Sequence, residues 1–282
     1  MSKAYILYNP FARDGKIKDD LDVLKIVIDD EIVFADLTKP GMPMCILERM
    51  EKDDYIILCG GDGTLNRFAN DIVNLDIPNE ILYFPCGTEN NFAAEFYANY
   101  GGNPFAINQF LENLPTVAVK DKTYRFLNGV GFGIDGLSRE YDWLYQIPGK
   151  RSTIPMMEIQ RLLSKYKPTG ATVYVDGIKH RFEKVWLAPT MYGKYYGGGM
   201  IPAPQQKRGT NQLSLMVFHG SSKFRTFMIF PSIFKGTITK HNKNVSVYCG
   251  REISVTFDAP RPLQIDGETI LDVVSYTATM IP

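Results

Sequence analysis

Cys59-Gly60-Gly61-Asp62-Gly63-Thr64-Leu65-Asn66-Arg67-Phe68, preceded by the apolar run Asp54-Tyr55-Ile56-Ile57-Leu58, is the stretch whose reading decides the fold. A short apolar run bounded by glycines reads as a buried strand, and Thr64 is placed to cap a helix that begins at Leu65. Glycines let main-chain N–H groups approach an anion closely. The helix N-terminus adds a favourable partial charge, and Asp62 offers a hard oxygen ligand for a divalent cation. Taken alone, Gly60-Gly61 reads equally well as a strand-to-helix turn in which glycine merely permits positive φ. Strand, glycine loop and helix together turn the reading toward phosphate, although the spacing matches neither the Walker pattern nor the dinucleotide fingerprint.

Outward from this loop, the first part of the chain alternates strands and helices. Ala4–Tyr8, Glu31–Asp36, Tyr55–Leu58 and Glu80–Phe84 read as strands, and residues 16–28, 44–52, 65–73 and 91–100 as helices. Such alternation implies a parallel sheet, with the loops leaving the strands' carboxyl ends gathered on one edge where ligands bind. That edge would collect the residues from Asn9 to Lys16, Thr38, the Gly60–Asn66 loop, and Pro85-Cys86-Gly87-Thr88.

Beyond about residue 120 the texture changes to β-branched and aromatic runs broken by turn residues. Asp176-Gly177 is a hairpin signal, and residues 212–218, 245–249, 253–257, 263–266 and 273–280 read as further strands. Helical insertions are expected near residues 138–145, 155–166 and 223–235. The fold class is thus α/β: an N-terminal parallel-sheet nucleotide-binding domain over residues 1–120, and a β-rich antiparallel domain over 121–271. The C-terminal strand 272–282 is a candidate to complete the first sheet.

The chain has 282 residues, and 31 Lys+Arg balance 31 Asp+Glu. The balance is uneven along its length: residues 1–119 hold 9 cationic against 19 anionic side chains, and residues 120–282 hold 22 against 12. A basic second half could face phosphate-rich ligands or an anionic membrane, whereas overall neutrality argues against a nucleic-acid partner. The N-terminal apolar stretch is too short for a secretory signal, so a cytoplasmic protein is expected, with a homodimer allowed. Cys45, Cys59, Cys86 and Cys249 show no paired spacing, which argues against a disulfide framework or zinc site. His180, His219 and His241 suggest no cluster.

These loops resemble those of the diacylglycerol-kinase-like lipid kinases, a family that includes sphingosine and ceramide kinases and bacterial relatives. The resemblance runs nearly end to end. It covers Asn9-Pro10 with Gly15-Lys16, Gly60 to Asn66, Pro85 to Ala93, Asn128 to Asp135, Gly197-Gly198-Gly199-Met200, and Gln264-Ile265-Asp266-Gly267-Glu268. It implies that ATP binds in a cleft between the domains, touching Asn9, Pro10, Phe11, Ala12, Arg13, Thr38, Gly60, Gly61, Asp62, Gly63, Thr64, Leu65, Asn66 and Thr88. It also implies a lipid alcohol as acceptor, Glu268 as the base that takes its proton, and Asp62 as a catalytic carboxylate linked to Mg2+. Phosphoryl transfer concentrates charge that such a cation neutralises.

The chain departs from the family pattern at three places. Asn91 stands where a carboxylate is usual, Arg67 replaces an acidic residue, and Thr210-Asn211 replaces an Asp-Gly pair. Losing carboxylates weakens cation binding, so the alternative is a nucleotide- or lipid-binding regulatory protein of the same fold with impaired catalysis. The run from Phe224 to Lys235 is aromatic with basic ends; it suits either a core segment or an interfacial helix reaching a membrane, with Pro231 interrupting the helix.

Overall fold

The computed structural model describes residues 2–87, 90–96, 103–133, 161 and 163–281. The chain divides into two compact units, Met1–Glu112 and Asn113–Pro282.

The first unit is built on strands β1 (Lys3–Tyr8), β2 (Glu31–Asp36), β3 (Tyr55–Gly60), β4 (Ile81–Pro85) and β5 (Phe105–Ala106), in the order β2-β1-β3-β4-β5. The first four are parallel, and β5 runs antiparallel beside β4. Their apolar runs are continuous because the sheet is covered: Ile6, Leu7, Ile57 and Leu58 are fully buried. The helices are α1 (Ile17–Val27), α2 (Met44–Leu47), α3 (Asp62–Asp71), α4 (Asn91–Ala94) and α5 (Asn108–Leu111). Helix α1 buries Ile17, Leu21 and Leu24, one stripe at helical spacing.

Two expectations change here. Helix α3 begins at Asp62, with Gly61 as its N-cap, so Thr64 lies inside the first turn and does not cap the helix. An acidic residue at the first helical position is favoured by the helix dipole. Helix α2 ends at Leu47, because the charged residues that follow form turns rather than continuing an apolar stripe.

The second unit is antiparallel and β-rich. It comprises β6 (Thr116–Val119), β7 (Lys122–Arg125), β8 (Gly129–Gly133), β9 (Thr169–Val175), β10 (Ile178–Val185), β11 (Leu187–Met191), β12 (Leu213–Phe218), β13 (Val245–Gly250), β14 (Glu252–Ile265) and β15 (Glu268–Thr279). The path β13-β12-β11-β8-β14-β15-β6-β7 is extended by β9, which pairs with β14 and β10. Asp176 and Gly177, both at positive φ, close the β9–β10 hairpin as expected.

Strand β14 replaces the two expected strands, residues 253–257 and 263–266. Its first half pairs with β9 and its second with β8, while β15 follows it on the other side through a register shift between Thr256 and Arg261. The Asp258-Ala259-Pro260-Arg261 segment therefore bends the ladder without ending it. The C-terminal strand β15 pairs with β14 and β6 of this sheet, not with the first one. Phe132 packs on Phe257 and Tyr276 at ring separations of 4.8 and 5.3 Å, anchoring the core where β14 forks.

Between β12 and β13 lies a helical insert: α6 (Lys223–Ile229), then 3-10 turns at Phe230–Lys235 and Ile238–Lys240. The change from α to 3-10 winding falls between Ile229 and Phe230, just before Pro231, which cannot donate the next helical hydrogen bond. The helix expected near residues 138–145 lies outside the described residues. Of the one expected over residues 155–166, Arg161 and the residues 163–165 are described and helical.

Candidate functional site

In the first unit the parallel strands end level with one another. Tyr8 lies opposite Asp36 and Cys59, and Gly60 opposite Pro85. From β1 the chain passes through α1 to β2 on one side of the sheet; from β3 it passes through α3 to β4 on the other. Strands β1 and β3 therefore flank the point where the connections diverge, the position at which open α/β sheets bind ligands. The loops leaving those two strands are Asn9–Gly15 and Gly60–Asn66.

In the first loop Asn9 accepts the Phe11 amide through its side chain at 3.0 Å and the Ala12 amide through its carbonyl at 3.0 Å. Asn9 thus shapes the turn. Pro10 and Ala12 are half-buried and Phe11 is 77% exposed; the Arg13 side chain lies outside the described residues. After β2, Asp36 accepts both the amide of Thr38 (2.8 Å) and its hydroxyl (2.6 Å). The hydroxyl bond is the main reason that the Asp36 carboxyl sits below its ordinary pKa.

The glycine loop is held from three sides. The Gly60 carbonyl accepts the Cys86 amide at 3.0 Å and the Tyr83 hydroxyl at 2.9 Å. A Cβ on Gly87 would run into the Gly61 Cα, so the loops after β3 and β4 touch backbone to backbone and glycine is required there. The buried Asp62 carboxylate spends one oxygen on the Asn91 amide (2.7 Å) and the other on the Phe92 amide (2.9 Å). It therefore caps α4 from a neighbouring helix. Asn90, at the start of α4, instead folds back on Gly87, accepting its amide at 3.0 Å.

Among the remaining expected residues, Leu65 is fully buried, so only its backbone faces the loop. The Asn66 side chain is buried and accepts from Asn70 at 3.2 Å. Helix α3 opens with the amides of Gly63 and Thr64, which have no carbonyl partner within their own helix. Thr88 lies outside the described residues. Arg67 is 63% exposed and pairs with Asp71 one turn along α3, at 3.7 Å. Cys59 and Cys86 are buried, and burial raises the Cys59 thiol well above its ordinary pKa; both behave as small apolar groups.

In the second unit the expected motifs do meet one another. Gly197, Gly198 and Gly199 all adopt positive φ, closing a loop whose ends, Tyr196 and Met200, exchange amide–carbonyl bonds at 2.9 Å. A Cβ on Gly197 would lie 3.1 Å from the Gln264 side chain, so this loop rests on the Gln264–Glu268 hairpin. At that hairpin's tip Asp266 and Gly267 both have positive φ. Asp266, buried, accepts the amides of Leu127 (2.5 Å), Asn128 (2.8 Å) and Gly129 (2.9 Å). Glu268 stands exposed two residues further on, at the first position of β15.

Two residues of this cluster were not singled out by sequence reasoning. Asp266 entered the sequence reading only as a member of the Gln264–Glu268 motif, with no role of its own, yet it organises the strand opposite. Arg208 carried no signal at all. It donates to the Leu127 carbonyl and to Asn128 Oδ1 (2.8 Å), with its guanidinium 5.4 Å from the centre of the Tyr192 ring. Thr210, which stands in place of the family's Asp-Gly pair, donates to the Lys207 carbonyl at 2.7 Å. It lines a cavity of about 280 Å3 with Gln206, Ser214, Val247 and Cys249.

A divalent cation is implied by the family. Among the described residues no three carboxylate, histidine or cysteine side chains converge, and both Asp62 oxygens already accept amides. Among the described residues that donor set does not by itself build a cation centre.

The first unit is an open, mostly parallel sheet with glycine loops at its diverging edge, and the second is an antiparallel β-rich unit bearing an Asp-Gly-Glu hairpin. The sequence profile of the diacylglycerol kinase catalytic domain matches residues 3–119, and that of the YegS C-terminal NAD kinase beta sandwich-like domain matches residues 128–282. The chain belongs to the diacylglycerol-kinase-like lipid kinase family.

It is 25% identical to a diacylglycerol kinase of Mycobacterium tuberculosis over 70% of this chain and 67% of that one. It is 24% identical to the uncharacterized protein sll0036 of Synechocystis over 94% of this chain and 65% of that one. The chain thus spans about two thirds of the length of these relatives. A crystal structure of a diacylglycerol kinase from Bacillus anthracis superposes with a TM-score of 0.60 at 18% identity, covering 99% of this chain and 94% of the other, which establishes the shared fold.

Proposed function

We propose that the protein transfers the γ-phosphoryl group of ATP to the hydroxyl of a diacylglycerol-like lipid. The observation that carries this reading is the coexistence, in a chain of this family, of a rigid amide loop at the diverging edge of a parallel sheet with an exposed glutamate on a braced hairpin. The Gly60–Asn66 loop would cradle the triphosphate with main-chain N–H groups, aided by the α3 N-terminus. Asn9 through Arg13 and Thr38 would border the nucleotide.

In the transfer, the lipid oxygen forms a bond to the γ-phosphorus, the bond from that phosphorus to the β–γ bridging oxygen breaks, and ADP leaves. Glu268 accepts the hydroxyl proton as the new bond forms. An exposed carboxylate at the start of a strand suits this role, because it is open to an incoming hydroxyl while its backbone is fixed by the hairpin. A divalent cation bound along with the triphosphate would supply neutralisation of charge on the phosphate oxygens. Asp62 contributes by fixing the loop geometry through α4.

Incubation with radiolabelled ATP and a panel of diacylglycerol, monoacylglycerol, sphingoid base and NAD tests the reading. Label on diacylglycerol, lost in Glu268→Gln, is the expected result; label on NAD alone would overturn it. A second reading, a nucleotide- or lipid-binding regulator, is favoured by one observation: Asp62 spends its carboxylate on amides, one of them the amide of Asn91. Nucleotide binding without transfer to any lipid alcohol selects it.

A further inference from the structure

The insert between β12 and β13 sends its apolar side chains in two directions. Ile229, Phe230, Ile233 and Ile238 are buried in one core cluster with Trp186 and Phe218. Phe224 and Met228, one turn apart on α6 and therefore on one face, are instead 77% and 64% exposed. Isolated exposed apolar residues are ordinary; the charge along this insert is not. From Ser221 to Lys243 the chain carries Lys223, Arg225, Lys235, Lys240 and Lys243, all exposed, and no Asp or Glu. The face is also fixed in place. The Ser222 hydroxyl accepts the Arg225 amide at 3.3 Å, capping α6, and Lys223 Nζ donates to the Ser164 carbonyl at 2.7 Å.

We propose that this insert docks the protein on an anionic lipid bilayer, with Phe224 and Met228 entering the interface and the surrounding cations resting at the level of the headgroups. Charge complementarity selects this occupant. A neutral apolar partner would leave five cations unmatched, and a nucleic acid would leave Met228 with nothing to stack on. An acyl interface beneath anionic headgroups satisfies both sets of side chains. The inference deepens the lipid-kinase reading, on which it rests only in that a lipid acceptor resides in a bilayer.

Co-sedimentation of the full chain with phosphatidylcholine vesicles, with and without phosphatidylglycerol, at low and high salt tests it. Wild type is expected to bind the anionic vesicles at low salt and to release at high salt. Replacing both Lys223→Gln and Arg225→Gln should lower the partition coefficient at low salt by about 25-fold, at roughly fivefold per charge. Phe224→Ser with Met228→Ser should also weaken binding at low salt. All four side chains are exposed, so unchanged melting curves verify the fold. Wild type that ignores anionic vesicles, or variants that bind as wild type does, would overturn the proposal.

Phosphorylation of a short-chain diacylglycerol dispersed in detergent separates the two readings. Equal rates for wild type and the docking variants are expected. Rates that fall together with vesicle binding would overturn docking as the insert's role. No transfer by any form, alongside vesicle binding that the variants lose, would remove the kinase reading and leave docking standing.

Discussion

Asp62 and Asn91 are joined by a 2.7 Å hydrogen bond from the Asn91 amide to Asp62 Oδ2, so the carboxylate in the glycine loop after β3 caps the helix that follows β4. Phe92 completes the pair on Oδ1. Conversion of Asp62 to Asn keeps the shape but turns an NH2 group toward one of these amides. The expected cost is about 1–3 kcal/mol for the orphaned buried donor, read as a lower melting temperature of the first unit together with weakened ATP binding. An unchanged melting temperature with activity lost would instead assign Asp62 a purely chemical role.

Gly87→Ala probes the contact between the two loops. The new methyl group would meet the Gly61 Cα, a backbone atom that cannot rotate away, so the loops must part. Nucleotide affinity measured by calorimetry is expected to fall by an order of magnitude or more, since a misplaced cradle of about 1 Å has that effect. Gly15→Ala is the control: at φ +82 it strains the backbone, but its Cβ would meet nothing within 4 Å. Its cost should be confined to about 1 kcal/mol of stability.

The alternation of β1, α1, β2, β3, α3 and β4 was legible because a covered parallel sheet writes each strand as a continuous apolar run, and α1 shows its stripe at Ile17, Leu21 and Leu24. The start of α3 was not, because a threonine looks like a cap wherever it stands; which residue caps depended on Asp62 reaching Asn91, 29 positions away. Strand β14 was divided in two by Pro260, although its ladder with β15 resumes beyond the bulge. Arg208 and Asp266 act through contacts with Leu127 and Asn128 some 80 to 139 positions distant, and local pattern carries no trace of such contacts. The exposure of Phe224 and Met228 was equally hidden, since an aromatic run reads alike as core or as surface.

Asp266 and Glu268 lie two positions apart and should separate cleanly. Asp266→Ala leaves three buried amides of the Leu127–Gly129 segment without their acceptor. At about 1–3 kcal/mol for each such group, the second unit should melt far lower or fail to fold, as followed by circular dichroism. Glu268→Gln, at an exposed position, should leave the melting temperature unchanged while phosphoryl transfer to the lipid falls by about 100-fold or more, the usual scale of general-base assistance. Transfer that survives this change would remove Glu268 from the chemistry.

Asp54 gives the first unit a specific acid sensitivity. Its carboxylate accepts the Glu51 and Lys3 amides, each at 2.8 Å, tying the start of β1 to the turn before β3. The amide of Glu51 is the larger cause holding its pKa below the ordinary carboxylate value of 3.8, and the Lys3 amide lowers it further. The unfolded chain therefore binds this proton more readily than the folded one. The stabilisation is present above about pH 4 and is lost as pH falls through the depressed folded pKa. Urea unfolding of wild type should show stability declining over that acid range. Asp54→Asn should be less stable at neutral pH and show a shallower decline; parallel curves for the two proteins would mean that other carboxylates govern the acid limb.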